Sequence, residues 1–244
     1  MRGGFFAGEP EAADAFLREI AAAFAQEAEP WSRLRRFTLE HPRAETALRT
    51  DGDSRVDRRV SQLLEYLPRP CRSLLDFGNG NGLITAGLAR ALELPPSEVV
   101  GLDSVPRAEN SPDYTQMHYD PHGGGPLPAA GREFHCITLL MVLHHLEEPR
   151  AALEAMRGVL AEDGVLLIRE TDAGTEGLRN FNAMMENFYY RVFNDLPDIP
   201  MPNRHMPAEF WLDLTREAGF RVERAFAVED ENPFTPFYIV AARA

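Results

Sequence analysis

The segment that decides the fold is LLDFGNGNG, residues 74–82. It begins with a short apolar run typical of a buried strand, and residues 83–92 then repeat apolar side chains at helical spacing. Glycines between a strand and a helix permit positive φ angles and let a ligand approach the backbone without a Cβ in the way. The first turn of a helix also carries free backbone N–H groups. The segment therefore predicts a strand, a ligand-binding loop and a helix.

Strands and helices alternate after this segment. Further strands are predicted at residues 98–103, 116–120, 134–141 and 165–170, and the last two at residues 220–228 and 237–242. Alternation of this kind implies parallel crossover units, whereas the last two strands follow each other as a hairpin. We therefore expect an α/β fold with a doubly wound, mostly parallel seven-stranded sheet and a C-terminal antiparallel hairpin.

Two segments lie outside this pattern. Residues 1–70 read as amphipathic helices without a motif and are predicted to form an N-terminal helical cap, which leaves residues 71–244 as the main domain. An insert at about 171–206 combines methionine and aromatic side chains at helical spacing, which suits an adaptable lid over an apolar substrate. Plain core packing of that helix against the sheet edge is the alternative interpretation.

The spacing of the glycines separates two cofactor classes. Dinucleotide-binding loops follow G-x-G-x-x-G, but counting from Gly78 the third glycine position is Leu83. The sequence Asp-x-Gly-x-Gly-x-Gly, starting at Asp76, instead resembles the loop of class I S-adenosylmethionine-dependent methyltransferases. Residues 134–146, which end in Leu-His-His-Leu, and residues 160–168 resemble the later segments of the same family in the same order. The resemblance implies that S-adenosyl-L-methionine is the cofactor and that residues 71–244 form a methyltransferase domain.

Positions of the family motif imply a set of cofactor contacts. Asp103, at the end of the second predicted strand, can accept both ribose hydroxyls. By resemblance, Asp120 meets the adenine amine, and the methionine portion is lined by Asp76, Gly78, Asn79, Gly80, Gly82 and Leu140. Two features depart from the family: His135 stands where an aspartate is usual, and PHGGGP at residues 121–126 replaces an acidic and apolar run.

Candidate catalytic residues follow from the chemistry of methyl transfer. Displacement at a sulfonium needs alignment, and a hydroxyl acceptor also needs a base, for which histidine is the usual residue near neutral pH. His144 occupies the position of the catalytic histidine in plant-type O-methyltransferases, with His145 as the adjacent alternative. Glu170 is expected to orient a histidine or hold a substrate cation. The candidate substrate-binding residues are Tyr190, Arg191, Asn194 and His205.

Composition limits the partners. A net charge of −13 disfavours nucleic acid, and no run of about 20 apolar residues predicts a membrane span. Without a signal peptide, and with Cys71 and Cys136 interpreted as buried free thiols, we expect a cytoplasmic protein. No metal site is predicted, and the oligomeric state is not defined. The leading hypothesis is methylation of a small organic molecule on oxygen or nitrogen; a peptide substrate, a non-catalytic cofactor-binding protein and a dinucleotide oxidoreductase are the alternatives.

Overall fold

The computed structural model describes residues 10–26, 30–40, 52–105, 111–121, 126–129, 131–193, 203–227 and 236–244. Its α-helices are α1 (Pro10–Gln26), α2 (Pro30–Glu40), α3 (Gly52–Leu64), α4 (Leu83–Ala91), α5 (Pro149–Val159), α6 (Glu176–Phe188) and α7 (Ala208–Glu217). Its strands are β1 (Leu74–Phe77), β2 (Val99–Asp103), β3 (Thr115–His118), β4 (Phe134–Leu140), β5 (Leu160–Thr171), β6 (Phe220–Ala227) and β7 (Pro236–Arg243). Short 3₁₀ turns cover Pro96–Glu98 and Leu143–His145, and a π-helical turn covers Tyr189–Phe193.

The strands form one seven-stranded sheet in the order β3-β2-β1-β4-β5-β7-β6. The first five strands of that order are parallel, and β7 runs antiparallel to both β5 and β6. This confirms the predicted sheet and its C-terminal hairpin. The chain direction across the sheet reverses between β1 and β4, and ligands of such sheets bind outside the carboxyl ends of the strands at this point.

The central strands are buried because helices cover both faces of a parallel sheet. Every residue of β1 is buried, and so are the first six residues of β4. The fifth strand is longer than the predicted residues 165–170, since Leu160 already pairs with Phe134. The register between the two strands shifts between Phe134 and Cys136, which indicates a bulge in β5 that includes Asp163 and Gly164.

The N-terminal helices contact two different parts of the molecule. Helices α1 and α2 share a hydrophobic cluster with the end of α6, formed by Phe16, Ile20, Ala23, Leu34, Phe188 and Val192. Helix α3 instead contributes Val60 and Leu63 to a cluster with α4 and the first strands. The division of the chain at residue 70 stays a prediction.

The two cysteines correct one expectation. The structure joins Cys71 and Cys136 in a disulfide, with their Cα atoms 6.8 Å apart, so the prediction of two free thiols is wrong. The pairing of β1 with β4 brings them together, because Cys136 lies opposite Leu74 in the register. The two cysteines are 65 positions apart in the sequence, and they become neighbours only because β1 and β4 are adjacent in the sheet.

Among the described residues, no helix is long and apolar enough to cross a membrane.

Candidate active site

The glycine loop after β1 has the backbone that the sequence predicts. Gly78, Gly80 and Gly82 have φ angles of 72°, 54° and 74°, in the left-handed region that favours glycine. A Cβ on Gly78 would collide with Val142, whereas one on Gly80 would meet no atom within 4 Å. The loop backbone is therefore closely packed against Val142 at Gly78, whereas at Gly80 it has free space in which a ligand can approach.

Asp76 ends up buried beneath this loop. Its carboxylate accepts hydrogen bonds from Thr85 Oγ1 at 2.6 Å and Thr138 Oγ1 at 2.7 Å. Burial raises the pKa of Asp76 to about 6, although the two hydroxyl donors act in the opposite direction. A buried carboxylate of this kind would gain stability from a bound cation.

Asp103 closes the loop from the neighbouring strand. Its Oδ2 accepts from the Gly80 N–H at 2.8 Å and its Oδ1 accepts from the Val105 N–H at 2.9 Å. Each carboxylate oxygen keeps a second lone pair for a ribose hydroxyl. The positions of Asp76 and Asp103 at the ends of β1 and β2 thus fit a nucleoside cofactor with an amino-acid tail.

The other predicted cofactor residues differ in what they contact. The Asn79 side chain exchanges hydrogen bonds with Gln116 of β3, at 2.8 and 3.2 Å, and so ties the loop to the sheet. Asp120 is exposed just beyond β3, and Leu140 is the last residue of β4. The role of each in cofactor binding stays a prediction.

Glu170 organises the turn that follows β4. Its Oε1 accepts the Val142 and Leu143 N–H groups at 3.1 and 2.8 Å, and its Oε2 lies 2.6 Å from Nδ1 of His144. The chain reaches this geometry through Met141, which has a φ of 63°. Glu170 therefore contacts both the backbone of this turn and His144, and its function in the site stays a prediction.

Three imidazoles and two carboxylates meet beside this turn, and we call His144, His145, His205, Glu170 and Glu186 the histidine cluster. Glu186 Oε1 lies 3.0 Å from His144 Nε2 and 3.1 Å from His145 Nε2, while its Oε2 lies 3.0 Å from His205 Nε2. The rings of His144 and His205 stack with centroids 4.6 Å apart. Histidines from the turn after β4 and from the segment before α7 thus converge on the carboxylate of Glu186 in α6, and Glu170 of β5 contacts one of them.

The electrostatics of the histidine cluster follow from its burial. Burial alone would lower the pKa of His144, but the carboxylates of Glu170 and Glu186 outweigh it and raise that pKa to about 10. Burial raises the pKa of Glu186, but the surrounding histidines hold it well below its ordinary value. Without a bound ligand, His144 is therefore an imidazolium between two carboxylates.

The predicted substrate residues separate into two groups. His205 belongs to the histidine cluster, and the Tyr190 ring lies 5.8 Å from that of His145. Burial, and then the charges of Glu186 and Asp103 among others, raise the pKa of the Tyr190 phenol. Tyr190 thus lies within electrostatic range of both the histidine cluster and Asp103. The Arg191 guanidinium instead lies over the Trp31 ring of α2, 5.5 Å from its centroid. Asn194 lies outside the described residues.

Glu186 is the site residue that sequence reasoning missed. It lies near the end of α6, in a segment interpreted only through its methionine and aromatic side chains. The available signal was an acid one helical turn before Tyr190, which places both on one face of the helix. Its partners are 42 or fewer residues away in sequence but belong to other elements, so spacing alone could not identify them.

His135 proves to be remote from this edge of the sheet. It lies near the amino end of β4, where its backbone N–H donates to Ser73 Oγ at 3.0 Å and its Nε2 lies 3.7 Å from Asp163. Parallel strands present their carboxyl ends at the opposite edge. The departure from the family pattern at His135 therefore leaves the cofactor loop unaffected.

The sequence of this chain is similar to a family of known proteins. A family model described as a methyltransferase domain matches residues 48–225. The chain belongs to the methyltransferase domain family. The family match and the sheet order agree with the class I S-adenosylmethionine-dependent methyltransferase family that the loop and later segments resemble.

Individual relatives match only part of this chain at low sequence identity. A ubiquinone biosynthesis O-methyltransferase of Cereibacter sphaeroides is 32% identical over 110 residues, 41% of this chain and 42% of the relative. The chain thus spans less than half the length of the curated relatives that it matches. Two solved structures share its fold. The cyclase SpnF has a TM-score of 0.57, 16% identity and coverage of 77% of this chain and 81% of that one. Mitomycin 7-O-methyltransferase has a TM-score of 0.53, 12% identity and coverage of 97% and 68%.

Because SpnF is a cyclase, likeness of fold alone does not define the reaction. The reaction class rests on the family match, whereas the methyl acceptor has to be inferred from the site.

Proposed function

We propose that this methyltransferase transfers a methyl group to an oxygen or nitrogen atom of a small organic molecule that binds against the histidine cluster. The bound cofactor supplies the chemistry as a methyl group activated on a sulfonium. The observation that supports a polar acceptor is the convergence of three imidazoles on Glu186 beside the cofactor edge of the sheet. A purely apolar packing role would not require five ionisable side chains at one point.

The residues of the cofactor site have distinct functions in this proposal. Asp76 holds the ammonium of the methionine portion, the loop from Gly78 to Gly82 carries that portion past the backbone, and Asp103 accepts the ribose hydroxyls. Gly80, which has open space where a Cβ would stand, marks the point of closest approach. Leu140 and Asp120 complete the methionine and adenine ends.

Accessibility assigns functions within the histidine cluster. The side chains of His144 and Glu170 are fully buried, whereas those of His145 and Glu186 are 12% and 13% exposed. The acceptor therefore meets His145 and Glu186, and His145 takes the proton that a hydroxyl or ammonium acceptor loses. His144 and Glu170 are positioning residues that hold Glu186 in place.

The curated relative favours oxygen as the acceptor atom. The partial match from Cereibacter sphaeroides is named as an O-methyltransferase, whereas the solved structures of this fold include both O- and N-methyltransferases. Helix α6, which carries Glu186, also carries the partly buried Phe181, and an aromatic side chain there suits an aromatic or otherwise apolar substrate body.

The cofactor part of the proposal is tested by calorimetry with S-adenosyl-L-methionine. We expect Asp103→Asn to weaken binding roughly 5- to 150-fold, about 1–3 kcal/mol, because it removes a charged acceptor from a polar site. Asp213→Asn, on an exposed acid of α7 that pairs with Arg216, is the matched control and should bind as the native chain does. Equal affinity in all three proteins would contradict the ribose assignment.

The acceptor part is tested by following S-adenosylhomocysteine formation with phenols, catechols, aromatic amines and a basic peptide. We expect turnover with a small molecule, and His145→Gln should lower kcat by about 10²–10⁴, the usual contribution of a general base. His135→Gln, a buried histidine at the opposite edge of the sheet, is the control. Turnover with the peptide alone would favour the alternative substrate class, to which the charge of −13 would be suited.

A further inference from the structure

We propose that His144, His205 and Glu186 form a binding site for one divalent first-row transition-metal ion, with the acceptor as an additional ligand. One ligand atom from each residue lies within 4.8 Å of the other two. Ligands about 2.1 Å from a tetrahedral ion stand about 3.4 Å apart, so small side-chain rotations suffice to accommodate it.

The outer partners of the two histidines orient them as metal ligands. His144 Nδ1 lies 2.6 Å from Glu170 Oε2, and His205 Nδ1 lies 3.0 Å from Thr171 Oγ1. When each Nδ1–H donates to its partner, each Nε2 lone pair is directed to Glu186. Histidines that bind metals almost always carry such an outer hydrogen bond, which sets the tautomer and the ring plane.

His205 supplies an independent observation. The residue is 2% exposed, yet its Nε2 has no hydrogen-bond partner among the residues that the structure describes. It faces Glu186 Oε2 at 3.0 Å without the geometry of a hydrogen bond. A buried ring nitrogen aimed at a carboxylate in this way fits a site in which both atoms bind the same cation.

Charge balance also favours a divalent ion. Glu170 and Glu186 carry two negative charges when ionised, and both are largely removed from solvent. One divalent cation, by displacing the proton of His144, neutralises both carboxylates while all three histidines are neutral. Imidazole nitrogen with a single carboxylate suits zinc, iron or cobalt better than magnesium or calcium, which prefer oxygen ligands.

The use of the ion in catalysis rests on the proposed function, but its binding does not. An acceptor oxygen bound to the ion would lose its proton more readily, since a metal lowers the pKa of a bound hydroxyl. His145, which is adjacent to the site but outside the ligand set, would then receive that proton.

The binding test uses the full chain, treated with a chelator and then titrated with Co²⁺ while the visible absorption spectrum is followed. We expect one Co²⁺ per chain without cofactor or acceptor, and loss of saturable binding in Glu186→Gln. Thr171→Val should weaken binding 10- to 100-fold by removing the outer partner of His205, and Thr171→Ser should restore it. This last pair keeps the test decisive if Glu186→Gln fails to fold.

Two controls separate this site from other sources of binding. Glu217→Gln, an exposed acid of α7, should leave the affinity for Co²⁺ unchanged. His135→Gln tests the second group of metal-type side chains, Cys71, His135 and Cys136. Absence of saturable binding, unchanged affinity in Glu186→Gln and Thr171→Val, or loss of binding in His135→Gln would each overturn the proposal.

The metal site and the proposed function can fail separately. Methyl transfer that proceeds at full rate in excess chelator would overturn the catalytic use of the ion and leave the small-molecule assignment intact. Co²⁺ binding without turnover of any small acceptor would overturn the small-molecule assignment and leave the metal site intact.

Discussion

At the scale of single residues, the site combines two kinds of buried charge. Asp76 is buried beneath the glycine loop, where its carboxylate accepts hydrogen bonds from two neutral hydroxyl groups. Glu186 is surrounded by imidazoles that hold its charge. Burial thus disfavours the ionised form of Asp76, whereas the imidazoles favour the ionised form of Glu186.

We expect Asp76→Asn to make the cofactor-free protein more stable at pH 7.5, by up to about 3 kcal/mol, because the pKa of Asp76 is raised from 3.8 to about 6. A raised carboxyl pKa means that the stability from this group is full below pH 3.8 and is lost as the pH rises through about 6. The gain of Asp76→Asn should therefore shrink as the pH falls toward 4. Urea unfolding at pH 7.5, 6 and 4.5 measures it.

Asp213→Asn serves as the control for this series, since its carboxyl is exposed and its loss should change stability by less than about 0.5 kcal/mol. A lower stability of Asp76→Asn at pH 7.5 would show that the hydrogen bonds of Thr85 and Thr138 outweigh the cost of burying the charge.

At the scale of elements, helix α6 links the N-terminal helices to the site. Its final turn packs on α1 through Phe188, whose ring meets Phe16 edge-on at 5.0 Å, and the same helix positions Glu186. Tyr190 lies in the π-helical turn that follows α6, and such turns are frequent at functional sites. Packing of α1 should therefore influence acceptor binding more than cofactor binding.

Phe16→Ala removes a fully buried ring and is expected to cost about 3–5 kcal/mol of stability. We also expect a higher KM for the acceptor, because α6 loses support, with little change in the Kd for S-adenosyl-L-methionine. Denaturant unfolding and calorimetry measure the two effects. Leu39→Ala, at a position on α2 that is 64% exposed, should leave both properties unchanged. An equal loss of cofactor affinity in Phe16→Ala would argue that α1 supports the whole molecule rather than α6.

At the scale of the whole molecule, cofactor binding should stabilise the fold because the loop after β1 and the end of β2 come together only in the native sheet. At 100 times its Kd, S-adenosyl-L-methionine should add about 2.7 kcal/mol, or roughly 5–10 °C in Tm for a chain of this size. S-adenosylhomocysteine should act similarly and nicotinamide dinucleotides should not. A shift with the dinucleotide alone would contradict the cofactor assignment.

Local sequence was sufficient for the features that depend on neighbouring residues. The strand, loop and helix around Gly78, Gly80 and Gly82 form as predicted, because positive φ angles and apolar periodicity are properties of a short segment. Asp103 is likewise the last residue of the second strand, as predicted.

Only the tertiary structure decided which distant residues meet. Glu186 was missed, and Cys71 and Cys136 were wrongly interpreted as free thiols, because each contact depends on strand order or on the rotation of a helix about its axis. His144, His145, Glu170 and His205 were each identified along the chain, but the convergence of the three histidines on Glu186 could not be predicted. The sequence by itself determined the cofactor class and the sheet, since these follow from local backbone preferences. The acceptor site arises from long-range packing of β4, β5 and α6, which no local pattern encodes.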